Sequence, residues 1–338
     1  MKVYGGIDLH SNNSVVALLD EEDRVVYRKR LANDASGVLA ALAPYREAIV
    51  GLVVESTYNG YWLVDALMGA GYAVHLANTA AIVQYSGLKY SDDDSDAAWL
   101  AKLLRLGRLP EGYIYPKGER AVRDLLRRRS RLVQQHTANL LAIQNLFAHN
   151  RGKSLSANEV KRLTPEAVAG MLADPNQALA VQATLLAMRA QEAAIDLLER
   201  QAQAQVRLRP GFRHLLSVSG IGQVLGLTIM LETGEIGRFA QVGDYASYCR
   251  CVGSERLSNG KRKGRGNTKS GNKYLAWAYV EAANFAVRYN AVIQRYYQRK
   301  RGRTNGIVAI KTVAHKLARA CYYMLRDGTD FEVGRAFA

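Results

Sequence analysis

Two apolar runs that each end on a carboxylate limit what the first third of this chain can fold into. Residues 3–9, VYGGIDL, read as a buried strand with Asp8 near its end; residues 49–54, IVGLVV, read as a second, closed by Glu55. Continuous apolar runs of this length belong to strands covered on both faces. Between them, residues 14–19 and 24–31 are strand candidates joined by the polar turn Asp20-Glu21-Glu22-Asp23, and residues 37–47 read as a helix. Residues 60–70 then read as a helix and 72–76 as a strand. A three-strand meander followed by alternating strand and helix is an α/β order. In such a sheet the first and fourth strands lie side by side, about 4.8 Å apart.

That order makes the carboxylates neighbours. A charge closing a buried strand is costly unless it is paired, solvated or bound to metal. A third source of acid follows in KYSDDDSDAAWLAKL, residues 89–103, with Asp92, Asp93, Asp94 and Asp96. Like charges this close repel along a helix. Asp93 and Asp96, three apart, share one helix face, and Asp92 and Asp96 are four apart. An acidic first helical turn is favoured by the helix dipole with no metal at all. With Asp8 and Glu55, however, the cluster offers the carboxylates that could hold two Mg²⁺ ions about 3.5–4 Å apart for phosphoryl transfer. Topology and carboxylates together are of the ribonuclease H type.

A length of 338 residues implies two or three domains, and 49 % apolar residues can bury real cores. The net charge of +16 points to a polyanionic partner, a nucleic acid or an acidic membrane surface. No apolar run of about 18 residues occurs, so no membrane span is expected. The start, MKVYGGIDLH, reads as a strand and not as a signal peptide. Cys249, Cys251 and Cys321 make no disulfide framework, which fits a reducing cytosol. The close spacing of Cys249 and Cys251 is weak support for zinc, and buried thiols explain it as well.

Residues 117–150 read as a long helix with apolar positions about 3.5 residues apart, the spacing of a helix-pairing seam. Its early turns carry Arg120, Arg123, Arg127, Arg128, Arg129 and Arg131, either a solvated face or a ridge for a nucleic-acid backbone. After a linker at 151–158, a short helix to Leu172 and a turn at Asp174-Pro175-Asn176, residues 178–206 form a second long helix. The pair is expected to make a coiled-coil stalk, as an intramolecular hairpin or as an oligomerisation arm. Arg209-Pro210-Gly211 opens a mainly α C-terminal domain. Residues 215–231 resemble a helix-hairpin-helix, whose Gly220-Ile221-Gly222 turn would expose N–H groups to a phosphate; a plain helical corner fits too. Residues 250–273 hold eight cations, Arg250, Arg256, Lys261, Arg262, Lys263, Arg265, Lys269 and Lys273, against the single acid Glu255. Such composition reads as a flexible basic loop. Ser258-Asn259-Gly260 is a turn signal directly before the cations, and a serine hydroxyl there would sit among groups able to stabilise a phosphate transition state. Residues 274–289 and 306–325 read as amphipathic helices.

These pieces resemble a known family. GIDLH, VVEST, YNGYWLVDALMGAGYAVHLAN and DDDSDAAWLAKLL in the first half are matched by SVSGIGQVLGLTIMLE, RFAQVGDYASYCRCVG and SNGKRKGRGNTKSGNKYLAWA in the second. The family is that of insertion-sequence transposases with an N-terminal DEDD, RuvC-like domain and a C-terminal catalytic serine, the bridge-RNA-guided recombinases. The resemblance covers nearly the whole chain and implies three parts: a RuvC-like domain at 1–115, long helices at 116–207, and a transposase domain at 208–338. Asp8, Glu55, Asp93 and Asp96 match the metal-binding carboxylates, and Ser258 matches the nucleophile. Two departures stand out: Lys89 lies four residues before Asp93 where the family has a lysine two before, and Asn-Pro is replaced by Asn78-Thr79.

What the resemblance implies is DNA strand exchange between donor and target duplexes through a covalent phosphoserine link, with Mg²⁺ beside it. It further implies a structured non-coding guide RNA, dimers assembling to a synaptic tetramer, and a site shared between protomers. Localisation would be cytoplasmic in a prokaryote, at the nucleoid when acting. The competing enzyme class is a RuvC-like junction-resolving nuclease that uses the carboxylates and water and leaves Ser258 without a role. A non-catalytic basic scaffold is disfavoured by unpaired carboxylates, which repel phosphate unless a metal intervenes. Tyr245 and Tyr248, beside the basic loop, are the alternative nucleophiles.

Overall fold

The computed structural model describes residues 1–82, 93–206, 209–253, 255–265 and 270–337, with the side chains of 93, 94, 255–257, 262 and 265 outside the description. The chain forms two compact units, Met1–Lys117 and Gly118–Ala338.

The first unit is a six-stranded mixed sheet with helices on both faces. Its strands are β1 (Val3–Leu9), β2 (Asn13–Leu19), β3 (Val25–Ala32), β4 (Ile49–Glu55), β5 (Val74–Ala77) and β6 (Glu111–Gly112), in the order β3-β2-β1-β4-β5-β6. β1 pairs parallel with β4, as the meander-then-alternation order predicts. The two-residue β6, antiparallel to β5, is too short to carry a sequence signal. Its helices are α1 (Ala35–Leu42), α2 (Tyr61–Gly69) and α3 (Asp93–Arg105). The first stops short of residue 47 because Pro44 has no N–H to continue it.

Strand alternation sorts the two faces. Ile7, Leu9, Val16, Leu18, Leu52 and Val54 pack with Val38, Leu42, Leu63 and Leu67 of α1 and α2. The opposite face is built for close approach. A Cβ on Gly6 would lie only 1.9 Å from the Ala97 carbonyl oxygen of α3, so that glycine is what lets helix backbone rest on β1. Gly6 and Asp8 are two apart on β1 and so share this face, while Asp96 directly precedes Ala97.

The second unit is mainly helical. Two long helices, α4 (Lys117–Arg151) and α7 (Pro175–Gln205), run antiparallel, as shown by Arg129–Glu199 at 2.7 Å, His136–Glu192 at 2.9 Å and Gln177–Asn150 at 2.8 Å. They therefore pair with each other within the chain. The short α5 (Ala157–Arg162) and α6 (Pro165–Met171), capped by Ser156 and Thr164, cross the tip and bury Val160 and Val168 against Phe147 and Leu185. Beyond come α8 (Gly211–Leu216), α9 (Gln223–Thr233), α10 (Val242–Tyr248), α11 (Lys273–Tyr289), α12 (Ala291–Arg303), α13 (Gly306–Asp327) and α14 (Val333–Phe337). Their core centres on Tyr245, Tyr279, Leu317 and Cys321. Helix α13 shows why: Ala309, Val313, Leu317, Cys321 and Met324 recur on one stripe and are buried. The basic segment expected to be a flexible loop holds a two-stranded hairpin, β7 (Glu255–Ser258) and β8 (Lys261–Arg265).

Candidate functional site

The carboxylate group lies at the ends of β1 and β4. Register places Ile7 opposite Val54, so the next residues, Asp8 and Glu55, come side by side. Asp8 is only 5 % exposed and is hydrogen-bonded to Glu55. Burial pushes the Glu55 carboxyl up to about 8, helped by its bond to Asp8 and by the negative charges of Asp8 and Asp96. At neutral pH, then, Glu55 keeps its proton beside Asp8, with Asp96 acting on it through its charge.

Local hydrogen bonds fix the end of β1. His10 sets Nε2 3.3 Å from Asp8 Oδ2. The His10 carbonyl accepts from Asn33 Nδ2 at 2.9 Å and from Asn59 Nδ2 at 3.0 Å, tying the β1–β2 loop to the segments after β3 and β4. Sequence reasoning passed over His10, Asn33 and Asn59; only the placement of His10 two residues after Asp8 hinted at them.

Asp93 heads α3 with its side chain outside the description, and Asp92 lies outside the described residues altogether. Among the described residues no group of three or more His, Cys, Asp or Glu side chains is set closely enough to hold a metal ion as it stands. The donor chemistry nevertheless fits a hard divalent cation: carboxylate oxygens on two paired strands and a helix packed against them, already close enough to raise the proton affinity of Glu55.

The serine lies in the second unit. Asn259 and Gly260 have φ of 51° and 70°, the pair of positive angles that a two-residue type I′ hairpin requires. Ser258 and Lys261 close that turn as a cross-strand pair and are both exposed, as is Lys263. Opposed residues of an antiparallel pair point to one side, so the hydroxyl and the Lys261 ammonium share a face. For Arg262 and Arg265 only the backbone is described, and Lys269 lies outside the description.

Beyond the hairpin the chain is anchored where α11 begins. Gly271 has φ of 89°, and a Cβ there would lie 2.5 Å from the Tyr248 carbonyl oxygen. The Asn272 N–H donates to that same oxygen at 2.6 Å, and Arg250 Nη2 donates to the Gly271 carbonyl at 2.8 Å. Asn272 caps α11 through Oδ1 and donates through Nδ2 to Glu232 Oε2 at 2.7 Å. Glu232, buried on α9, accepts both arms of Arg127 at 2.6 and 2.7 Å. The Arg127 guanidinium also covers the Tyr274 ring at 4.6 Å.

Arg127 is therefore engaged inside the fold, and Arg120 and Arg123 are buried. Of the basic ridge expected on this helix, Arg128 and Arg131 are exposed, and Arg129 is paired with Glu199. Lys273 is exposed at the start of α11, 5.2 Å over the Tyr274 ring. Tyr245 is wholly buried, its hydroxyl between Thr233 Oγ1 at 2.9 Å and Tyr279 at 2.7 Å, and burial holds it well above the ordinary phenol range, so it is placed as a core residue and not as a nucleophile. Burial pushes the Cys251 and Cys321 thiols up to about 12, which keeps them protonated. At the helix-hairpin-helix candidate, Gly220 (φ 101°) packs against the backbone of α11, and α9 starts without a side-chain cap.

A mixed α/β sheet followed by a mainly helical part is consistent with a DEDD nuclease-like transposase, a class of DNA-cleaving and recombining enzyme, and residues 5–149 match the DEDD transposase profile of the IS110 type. Residues 212–298 match the profile described as Transposase IS116/IS110/IS902 family. The chain belongs to the IS110/IS116 family of transposases. A protein of Pseudomonas aeruginosa named "Probable family 20 transposase" is 25% identical over 97% of this chain and 98% of its own length. A Sinorhizobium fredii protein named as a transposase, y4qE, is 22% identical over 83% of this chain and 71% of its own. None of the described helices is long and apolar enough to cross a membrane.

Proposed function

We propose that this transposase exchanges strands between a donor and a target duplex through a covalent link to Ser258, with Mg²⁺ held by Asp8, Glu55, Asp93 and Asp96. The observation that carries the reading is the placement of Asp8 and Glu55 side by side at the ends of two paired strands, with Asp8 buried and Asp96 near enough to act on Glu55 through its charge. Carboxylates driven together in this way are relieved by a divalent cation as well as by a proton. Such a cation, when bound, would polarise a phosphate oxygen and ease loss of the serine proton.

The chain's own groups do the rest. The Ser258 oxygen gives up its proton and forms a bond to phosphorus, and the sugar oxygen of the cut strand leaves with a proton. Attack by a sugar hydroxyl of the other duplex reverses these events and frees the serine. Lys261 and Lys263, with Arg262 and Arg265, would neutralise charge as the phosphorus passes through its transition state. Arg128, Arg131, Lys269 and Lys273 would hold backbone phosphates, while Arg120, Arg123 and Arg127 would act from within the fold. The first unit would be a ribonuclease H-like, RuvC-like sheet, and the α4–α7 hairpin would serve as the coiled-coil arm of a dimer that assembles to a tetramer. Sequence choice would come from a structured guide RNA.

Trapping the reaction with denaturant tests the chemistry: the nucleotide is expected on a peptide containing Ser258. Cleavage without any adduct would favour the water-using nuclease. RNA should copurify when the flanking locus is present, and recombination of natural sites by RNA-free protein would remove the guide from the scheme. Mixing Ser258→Ala with Asp8→Ala protomers should partly restore exchange if the site is shared between chains.

A further inference from the structure

Between Glu281 and Asp327 the chain holds ten Lys and Arg residues and no Asp or Glu. This stretch of 45 residues thus carries +10 of the net +16, leaving +6 for the other 293. The charge is concentrated on α12 and the first turns of α13. On α12, Arg295, Arg299 and Arg303 fall at successive fourth positions and form one stripe, with Lys300 and Arg301 beside it. Ile293 anchors the other side of the helix in the core at 0 % exposure, so the stripe faces solvent. Lys311 continues the exposed charge onto α13.

Two cations of the stretch have structural work within the fold. Lys316 donates to the Ala336 carbonyl at 2.9 Å, and Arg326 pairs with Asp327 at 2.7 Å. Arg295, Arg299, Lys300, Arg301, Arg303 and Lys311 differ: among the described residues none of them has an acidic partner. Lys300, Arg301 and Arg303 in the last turn of α12 suit the helix dipole. That accounts for neither Arg295 nor Lys311. Like charges four apart repel, and the one acid on these two helices, Asp327, lies at the far end of α13 and pairs with Arg326. The field reaches inside as well: burial, and then Arg319 and Lys316, hold His315 of α13 below its ordinary value.

We infer that the α12–α13 face is a phosphodiester-binding surface, additional to the serine hairpin and the α4 ridge, that grips a nucleic-acid backbone without reading its bases. Four of the six cations are arginines, whose planar guanidinium suits phosphate oxygens. Repelling charges on a rigid helix gain most from a ligand that is itself a row of anions, as a nucleic acid is. A lipid surface fits less well, because the exposed apolar side chains at the α12–α13 turn are Ile307 and Val308, too few for an interfacial helix.

The inference rests on the reading that the chain works on DNA, and its test is made on full-length Ser258→Ala protein so that binding is measured without chemistry. Arg295, Arg299, Arg301 and Arg303 are changed together to Gln. Binding to a random-sequence duplex and to a structured RNA is followed against salt, with unfolding temperature as the check on folding. The slope of log affinity against log salt should become shallower by about 3–4 for the duplex, at roughly 0.9 per contact, with the unfolding temperature unchanged. A shallower slope for RNA alone would support the surface and name RNA as its source. The control replaces Arg151, Lys153, Lys161 and Arg162 at the tip of the long hairpin. An equal loss in the control, or an unchanged slope for both nucleic acids, would overturn the inference. So would a variant that loses only its binding to phosphatidylserine vesicles. Failure of the parent protein to bind duplex at all would instead strike the DNA reading itself.

Discussion

The carboxylate group and the serine hairpin solve opposite problems. Asp8 and Glu55 sit on central strands of a sheet covered on both faces, and Gly6 admits α3 so closely that Asp96 is carried to them by packing. Those acids are positioned by hydrophobic burial and kept under mutual repulsion. Ser258 is exposed at the end of a two-stranded ribbon, and isolated ribbons of that kind are marginal in water. The chain beyond it is tethered at Asn272, where Glu232 and Arg127 tie the start of α11 to α9 and α4. Buried acids and an exposed serine would suit the strand exchange proposed above, in which the serine must reach a large substrate and then let it go.

Removing the nucleophile should have the largest effect. Ser258→Ala is expected to abolish the covalent adduct and lower strand exchange by at least about 10³-fold, with duplex affinity within about twofold of the parent. A filter-binding assay beside a denaturing gel separates the two. An adduct that persists, on Tyr248 for instance, would take the serine out of the comparison. Next come the acids: Asp8→Asn and Asp96→Asn should each lower exchange by roughly 10²–10³-fold while the protein stays folded, because a cation site loses a charged ligand. Undiminished exchange in Asp96→Asn would move the helix contribution to another aspartate of the cluster.

The tether is expected to act through stability. Glu232→Ala leaves Arg127 without its carboxylate in a largely buried place, and breaking such a pair costs about 3–5 kcal/mol. In a unit of this size that corresponds to roughly 6–20 °C in melting temperature. Replacing Arg127 and Glu232 together with Met should recover most of the loss. If Glu232→Ala melts like the parent, the buried link among α4, α9 and α11 does not hold the second unit together.

How far the sequence revealed these arrangements depended on whether the signal was local. The strands of the first unit are apolar runs, and parallel pairing of β1 with β4 follows from their order, so Asp8 and Glu55 could be placed together from the residues alone. Ser258-Asn259-Gly260 announced a turn, yet the strand pairing beside it was hidden by a run of lysines and arginines that reads as a loop. The buried links were not legible. Arg127 looked like one more cation of a ridge until Glu232, 105 positions away, came to meet it. His10 gave no periodic signal, and its neighbours Asn33 and Asn59 reach it from distant segments. The charge on α12 was readable as composition, but only the anchoring of Ile293 shows which side of the helix it faces.

The smallest effect discriminates most finely, because it reads the strain in the acidic site directly. Glu55 has an unfolded value of 4.5 and a folded value of about 8. From pH 4.5 to 8 the folded protein keeps a proton there that the unfolded chain has released, so this group's contribution to stability falls as pH rises through that window and levels off above it. This is the reverse of a salt-bridged carboxylate. Glu55→Gln keeps the shape and the hydrogen bond to Asp8 but cannot ionise. Its melting temperature should match the parent's near pH 4.5 and exceed it by a few degrees at pH 8.5, the gap opening across the window. Millimolar Mg²⁺ at pH 8.5 should then raise the parent more than the variant and narrow the gap, since the ion would offset the charge that Glu55 gains on losing its proton. A gap that is the same at both pH values would mean that Glu55 is not under repulsion from Asp8 and Asp96, and the acidic site would lose the feature that sets it apart from the serine hairpin.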